Sequence, residues 1–196
     1  MTDRLRDLAL KPGWIYEVIV CTFSDGTPHA APAGVWTDDQ QLLQLDLYGT
    51  SRTLARIRDG GRFAVDFPCD ATALFQALYA PGELRFECPG DAEAPCLEGS
   101  CATVQLSLAG VPAYTDPTRV RGRVDGVRRR GELRLINRAE GLLLESLILA
   151  TRLERLGRDA TLATLAENRR VVAKVAPGSA CEQAMDRLLE KLRDRS

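Results

Sequence analysis

Apolar residues follow two different patterns along this chain. Up to about residue 124 they mostly recur at every second position, as in β-strands, and from residue 137 onward they recur at helical spacing. The turn signal Asp25-Gly26 joins the first two strands into a predicted hairpin. Six strands are expected, at residues 14–24, 29–36, 43–48, 62–67, 101–108 and 119–124.

Two short helices are predicted between these strands. The first runs from about residue 50 to residue 58, turns Leu54 and Ile57 inward and ends at Gly60-Gly61. The second reaches about Tyr79, and its apolar stripe consists of Leu74, Phe75 and Leu78. The acidic stretch 81–100, rich in Pro and Gly, is expected to be an irregular surface excursion.

The predicted fold class is mainly β with α (α+β). Six strands joined by hairpins and short helices suit a small antiparallel barrel, since closure removes exposed sheet edges. We expect this domain to span residues 1–135 and a C-terminal helical domain to span residues 136–196. Its first helix, about residues 142–156, is apolar over much of its circumference and is expected to be buried; helices near 160–175 and after a Ser179–Glu182 capping box follow.

Composition limits the classes of partner. The chain has 196 residues, with 26 Lys and Arg against 27 Asp and Glu, and a formal net charge of −1. This balance gives no general reason to expect binding to nucleic acid or to an acidic membrane. No apolar run approaches the roughly 20 residues of a membrane span, and the polar N-terminal residues do not resemble a secretory signal. A cytoplasmic protein is therefore expected.

Residues suited to nucleophilic or metal chemistry are scarce. His29 is the one histidine, and none of the six cysteines forms a C-x-x-C pair. Cys21 and Cys181 fit small buried thiols, while Cys88, Cys96 and Cys101 cluster beside carboxylates in a spacing that matches no standard metal site. No catalytic residue and no metal site is predicted.

The start of the first helix carries the strongest candidate chemistry. Unpaired N–H groups and the positive end of the helix dipole suit a phosphate there, and hydroxyls and a guanidinium add to this. An ordinary N-cap explains the same residues. The candidate residues at this helix start are Tyr48, Gly49, Thr50, Ser51, Arg52 and Thr53.

The second strand carries small side chains, which let a flat ligand approach the backbone or simply permit tight curvature. They are Pro32, Ala33, Gly34 and Val35, and His29 precedes them, a position where a surface histidine is the commoner case. A place for a planar ring and a place for a phosphate are together the needs of a mononucleotide-like cofactor. FMN meets that description.

With these motifs the chain resembles an uncharacterised, mainly archaeal and methylotroph domain-of-unknown-function family that is built on the FMN-binding split barrel and is flavin reductase-like. The matching segments cover nearly the whole chain apart from residues 81–100. They are Ile15-Tyr16-Glu17, Asp25 to Pro28, Ala31 to Val35, Gly49 to Thr53, Val65-Asp66, Asn137 to Gly141, Glu145, and Ala150 to Leu153.

The resemblance implies a homodimer with FMN at the subunit interface. By position, residues 50–53 would hold the phosphate and residues 32–35 would line the isoalloxazine. Asp66 and His29 stand where an amide side chain is expected, and a charged Asp66 facing the ring would weaken the fit of a neutral flavin. Asn137 and Arg138 would either help to close the site or anchor the helix, and Arg152 is a further candidate.

These observations leave three functions open. The chain is expected to be an FMN-dependent oxidoreductase, with a link to C1 or pterin metabolism that the resemblance suggests, or a non-enzymatic flavin-binding or sensing module, or a dimeric scaffold without flavin. One face of a predicted strand carries Arg119, Arg121 and Arg123, and Arg128 to Arg130 follow in the sequence. They would bind a second anionic ligand or protect a solvated sheet edge.

Overall fold

A computed structural model describes residues 5–88, 94–111 and 115–193. The chain divides into two compact units, one of residues 1–12 and 16–136 and the other of residues 13–15 and 137–196. The first unit holds the sheet and the second holds the C-terminal helices. The predicted domain boundary near residue 135 stays a prediction.

Six strands of the first unit close into an antiparallel barrel in the order β1-β2-β3-β8-β7-β4. This confirms the predicted fold class and architecture. A short 3-10 turn, Leu5–Leu8, precedes the sheet. The barrel strands are β1 (Tyr16–Ser24), β2 (Thr27–Trp36), β3 (Leu42–Leu47), β4 (Arg62–Phe67), β7 (Ala102–Gly110) and β8 (Thr118–Arg129).

Strand β1 is buried on both faces, as its apolar residues predict. Val18 and Val20 alternate with Ile19 and Cys21, and all four are fully buried. Ile19 and Cys21 pack in a cluster with residues of a helix and of a short two-stranded ribbon, so this face of β1 is covered within the chain. The ribbon consists of β5 (Phe86–Glu87) and β6 (Cys96–Leu97).

Residues 81–88 and 94–100 therefore differ from the expected surface excursion. A 3-10 turn, Pro81–Glu83, leads into the ribbon, and Ala94, Cys96 and Leu97 are buried. The prediction was wrong for these residues because their apolar side chains cover the outside of the barrel, a placement that their local sequence pattern does not reveal. Residues 89–93 lie outside the described part of the chain.

Two helices connect the barrel strands. Helix α1 (Arg52–Gly60) follows β3, buries Leu54 and Ile57 as predicted, and ends at Gly61, whose φ of 68° places it in the left-handed region. Helix α2 (Thr72–Tyr79) follows β4 and buries Ala77. Two residues of its predicted apolar stripe, Phe75 and Leu78, are 60% and 59% exposed.

The second unit consists of α3 (Ala139–Ala150), α4 (Leu153–Leu156), α5 (Arg158–Val175) and α6 (Ala180–Arg193). The predicted capping box lies before α6: Ser179 Oγ accepts a hydrogen bond from the N–H of Glu182 at 3.1 Å. The prediction of a buried first helix is wrong for this chain, since Leu144 and Leu147 of α3 are 58% and 45% exposed. One face of α3 packs against α5 and α6, and a helix that is apolar all round leaves its other face uncovered.

No helix among residues 5–88, 94–111 and 115–193 combines the length and the hydropathy that a membrane crossing needs.

Candidate functional site

The turn between β3 and α1 forms a capped helix start. Ser51 donates its N–H to the Tyr48 carbonyl at 2.8 Å, and Ser51 Oγ accepts from the N–H of Leu54 at 3.5 Å. The ordinary capping role of Ser51 is thus present. The N–H groups of Arg52 and Thr53 have no acceptor four residues earlier in the helix, because they belong to its first turn. They remain suited to an anionic ligand.

The other residues of this turn differ in how accessible they are. Tyr48 is 69% exposed, and Gly49 and Thr50 are exposed. The N–H of Gly49 is already donated to Asp116 Oδ1 at 3.0 Å. Thr53 is buried, with 3% of its surface exposed. The backbone of the turn and the Thr50 hydroxyl are therefore better placed for a ligand than the Gly49 amide or the Thr53 side chain.

Positive charge gathers beside this helix start. Arg52 and Arg56 are one helical turn apart on α1, so they share a face of the helix. Burial, then Arg56, then Arg52 lower the pKa of His29 on β2, which shows that both guanidinium groups act on the imidazole. Neither arginine forms an ion pair with a carboxylate in the part of the chain that the structure describes. We call Arg52, Arg56 and His29 the basic cluster.

Arg56 is the member of the basic cluster whose situation is most unusual. Its Nη1 atom is buried and has no hydrogen-bond partner. A buried guanidinium nitrogen without an acceptor is costly, since it has lost water and gained nothing in return. An anion bound against it would supply the missing acceptor. Arg56 is not among the residues predicted from the sequence, although its spacing of four residues from Arg52 places the two on one helix face.

The small-residue strand β2 has an open edge. It pairs with β1 from Thr27 to Val35, but it pairs with β3 only at Val35 and Trp36. Pro32, Ala33 and Gly34 are half-buried residues, whereas Val35 is fully buried in the core. The backbone edge of residues 31–34 that faces away from β1 is thus not paired with β3.

Asp66, a predicted cofactor-binding residue, is enclosed within the first unit. Its side chain is fully buried on β4, and its carboxylate accepts hydrogen bonds from the Leu97 N–H at 3.0 Å and from Thr103 Oγ1 at 2.5 Å. Burial raises the pKa of Asp66 to about 6, although these hydrogen bonds and that from Cys21 act in the opposite direction. The geometry gives no support for contact with a flavin ring, because the carboxylate instead holds the β5–β6 ribbon against the barrel.

Asn137 has an anchoring role within the second unit. Its Nδ2 donates to the carbonyl oxygens of Ile15 at 2.7 Å and Val175 at 2.8 Å, and its Oδ1 accepts from the N–H of Ala139 at 2.8 Å. Of the two roles left open, the structure therefore supplies helix anchoring. Arg138 follows it at the start of α3, and Arg152 lies just before α4.

The arginine face of β8 is exposed as predicted, but β8 is not an edge strand. It pairs with β3 on one side and β7 on the other. Arg119 pairs with Asp46 at 3.0 Å and lies over the ring of Trp36, and Arg130 pairs with Glu87 at 2.8 Å. The edge-protection hypothesis is wrong, and part of the positive charge is already neutralised.

The three cysteines that cluster in the sequence, Cys88, Cys96 and Cys101, lie in different environments. Cys101 is joined to Cys69 by a disulfide, Cys96 is buried and Cys88 is exposed. No group of three or more potential metal ligands occurs in the three described ranges of the chain. The disulfide lies beside a surface cavity of about 450 Å³ that contains none of the predicted site residues.

Solved structures show the class of fold. An FMN-bound protein from Methanosarcina mazei, assigned to family DUF447, matches 96% of this chain with 99% of its own at 20% identity and a TM-score of 0.57. The styrene monooxygenase flavin reductase from Pseudomonas putida S12 matches 62% of this chain with 85% of its own at 16% identity and a TM-score of 0.53. An FMN-binding protein from Thermus thermophilus with bound 1-cyclohex-2-enone matches 62% with 79% at 18% identity and a TM-score of 0.53. The fold is therefore that of the flavin reductase-like split barrels.

The family of this chain is shown by a match of its sequence to a family model. Residues 16–129 match the N-terminal domain of the protein of unknown function DUF447. The chain belongs to the DUF447 family.

The buried carboxyl group of Asp66 leads to a pH prediction. Its pKa is 3.8 in an exposed setting and about 6 in the folded protein, so the folded state binds this proton more tightly than the unfolded state. This group therefore reduces the stability of the fold as the pH rises from about 4 to about 6, by about 3 kcal/mol in all. We expect Asp66→Asn to remove this decline, as measured by urea unfolding at a series of pH values.

The control is Asp59→Asn, which changes an exposed carboxyl group at the end of α1. Only the change of the free energy of unfolding with pH is compared, because an amide at position 66 also alters the hydrogen bonds that the Asp66 carboxylate accepts. Parallel stability curves for the wild type and Asp66→Asn would contradict the assigned pKa.

Proposed function

We propose that this chain is a flavoprotein whose basic cluster binds the phosphate of FMN. The observation that carries the proposal is the buried Nη1 atom of Arg56, which has no partner and lies on the same helix face as Arg52. An FMN phosphate supplies negative charge and several acceptor oxygens, which are what this guanidinium lacks. The FMN-bound family member from Methanosarcina mazei supports the same cofactor.

The residues around the cluster fit a phosphate group. Arg52 and Arg56 offer charge, the first turn of α1 offers N–H groups, and Thr50 and Ser51 offer hydroxyls. Tyr48, Gly49 and Thr53 complete the turn as its framework. The carboxylate of Asp116 accepts the N–H of Gly49 and so holds the turn in place.

The isoalloxazine ring is proposed to lie along the open edge of β2. Pro32, Ala33 and Gly34 present little side-chain bulk, and β3 does not pair with them. The protein would bind and orient the ring here, while FMN supplies hydride and electron transfer when bound. Asp66 is not part of this proposal, and Asn137 and Arg138 contribute to it only as anchors of α3.

Removal of the two arginines should selectively abolish recognition of the phosphate. We expect Arg52→Ala with Arg56→Ala to weaken FMN binding at least about tenfold, since a hydrogen bond to a charged group contributes about 1.5–3 kcal/mol. Riboflavin, which lacks the phosphate, should bind the variant and the wild type about equally. Fluorescence titration of the apoprotein with each flavin measures the ratio of the dissociation constants for FMN and riboflavin.

Arg58→Ala removes one positive charge from the same helix and serves as the control. Thermal unfolding confirms that each variant is folded. An unchanged preference for FMN over riboflavin in the double variant would refute the phosphate assignment, whereas equal loss of both flavins would point to damage at the ring site.

The proposed activity is that of an oxidoreductase. The flavin reductase-like barrel and the scarcity of histidine suit chemistry that the cofactor itself performs. The link to C1 or pterin metabolism stays a prediction, as does a cytoplasmic location.

An oxidoreductase and a passive flavin-binding module differ in their response to a hydride donor. We expect the FMN-loaded protein to lose its oxidised-flavin absorption when NADH or NADPH is added without oxygen, faster than free FMN at the same concentration. The Arg52→Ala/Arg56→Ala variant with added FMN is the control for reduction of unbound flavin. No acceleration by the loaded wild type would favour the non-enzymatic module.

We also propose that the protein is a homodimer and that α2 lies in the interface. Phe75, Leu78 and Tyr79 are 60%, 59% and 74% exposed, and the rings of Phe75 and Tyr79 lie 5.3 Å apart. A contiguous apolar face of this kind is unfavourable in water. Helix α2 packs against β2, the strand proposed to hold the ring, so a second copy on α2 would also lie close to the cofactor.

A charge placed on this face should weaken the dimer. We expect the wild type to sediment as a dimer and Leu78→Asp to sediment as a monomer at the same concentration, because the carboxylate would be buried without a partner. Leu156→Asp, at an exposed leucine of the C-terminal unit, is the matched control. A monomeric wild type, or dissociation by the control variant alone, would contradict this interface.

A further inference from the structure

We propose that the Cys69–Cys101 disulfide is a thiol-exchange site, attacked at Cys69 from the neighbouring pocket by thiols that are neutral or positively charged. The two half-cystines differ in accessibility. Cys69 is exposed and lines the cavity of about 450 Å³, while Cys101 is buried with 4% of its surface exposed. An incoming thiolate can therefore reach one sulfur and not the other.

The backbone around the disulfide is held without the S–S bond. Cys101 donates its N–H to the Phe67 carbonyl at 2.9 Å, and its carbonyl accepts from the N–H of Arg130 at 2.9 Å. Phe67 and Ala102 are paired in the β4–β7 ladder immediately beside the bridge. The bond joins two segments that the sheet already aligns, so it can open and close while the barrel remains folded.

The disulfide is reduced in two successive exchange steps. The thiolate of a dithiol attacks Cys69 Sγ, the Cys69–Cys101 bond breaks, and its electron pair passes to Cys101 Sγ, which takes up a proton. The second thiol then attacks the reductant's own sulfur in the mixed disulfide and releases Cys69 as a thiol. The reductant is oxidised by two electrons and the cysteine pair is reduced by two.

The pocket selects reductants by charge. Its wall carries the carboxylates of Asp70, Glu83 and Glu98 against the single guanidinium of Arg85. A negatively charged thiol approaches this surface against repulsion, and a positively charged one is attracted. The partner that fits is therefore a dithiol, small or carried on a protein, whose approaching surface is neutral or basic.

The test uses the intact protein, oxidised with cystamine, and three small thiols at equal thiolate concentration: cysteamine, 2-mercaptoethanol and 3-mercaptopropionate. Alkylation and mass mapping follow the reaction. We expect the mixed disulfide on Cys69, with cysteamine about threefold faster than 3-mercaptopropionate at low salt and little difference at high salt. Glu83→Gln with Glu98→Gln should bring the two rates together, while Glu154→Gln should not.

A pair of variants separates the two sulfurs. Cys101→Ser should retain a cystamine-derived adduct on Cys69, because the resolving thiol is gone, and Cys69→Ser should remain unreactive at Cys101 until it is unfolded. The proposal is overturned if the oxidised pair is reduced only after unfolding, if the adduct maps to Cys101, if the thiols show no charge preference, or if cystamine fails to join the two cysteines.

Discussion

The position of β1 between β2 and β4 is the constraint on which the first unit depends. β1 pairs with β2 along its whole length and with β4 at Ile19 to Cys21, and this second pairing closes the barrel. Both faces of β1 are consequently buried, one inside the barrel and one beneath α2 and the β5–β6 ribbon. Among the described strands, closure pairs the barrel edges with one another, and β2 lacks pairing with β3 over most of its length.

That separation and the basic cluster have a common origin in the topology. β2 keeps its pairing with β1 but pairs with β3 only at its last two residues, Val35 and Trp36, so the small residues before them are not covered by β3. Helix α1 begins where β3 ends, and it brings Arg52 and Arg56 to act on His29 of β2. The fold thus accepts uncompensated positive charge at one place, which is unfavourable for stability and useful for holding an anion.

The buried carboxylate of Asp66 shows how a polar residue can serve the fold instead of the site. It lies opposite Ile19 and Thr103 in the sheet and accepts hydrogen bonds that tie Leu97 to the barrel. Nothing in its immediate sequence, Val65-Asp66-Phe67, distinguishes this role from contact with a ligand. The partners come from residues 31 and 37 positions away, and only folding brings them together.

Glycine in the barrel interior shows the same dependence on tertiary packing. A Cβ atom added at Gly122 of β8 would come within 2.7 Å of Phe63 Cζ and 3.2 Å of Leu106, whereas one added at Gly126 on the same strand would meet nothing within 4 Å. The two glycines look alike in the sequence. They differ because the strand turns one toward the packed core and the other toward open space.

The sequence by itself determined the six barrel strands, the two connecting helices and the capped start of α1, because these follow from local periodicity, turn residues and capping chemistry. It also pointed to Arg52, whose place at a helix start is a local property. Only the tertiary structure decided that Arg56 and His29 join Arg52, that Asp66 is sealed under residues 94–97, and that Phe75, Leu78 and Leu144 stay exposed. Each of these features depends on which distant segments pack together. The spacing of apolar residues along one element predicts which of its faces is apolar, but it does not predict which other segment covers that face.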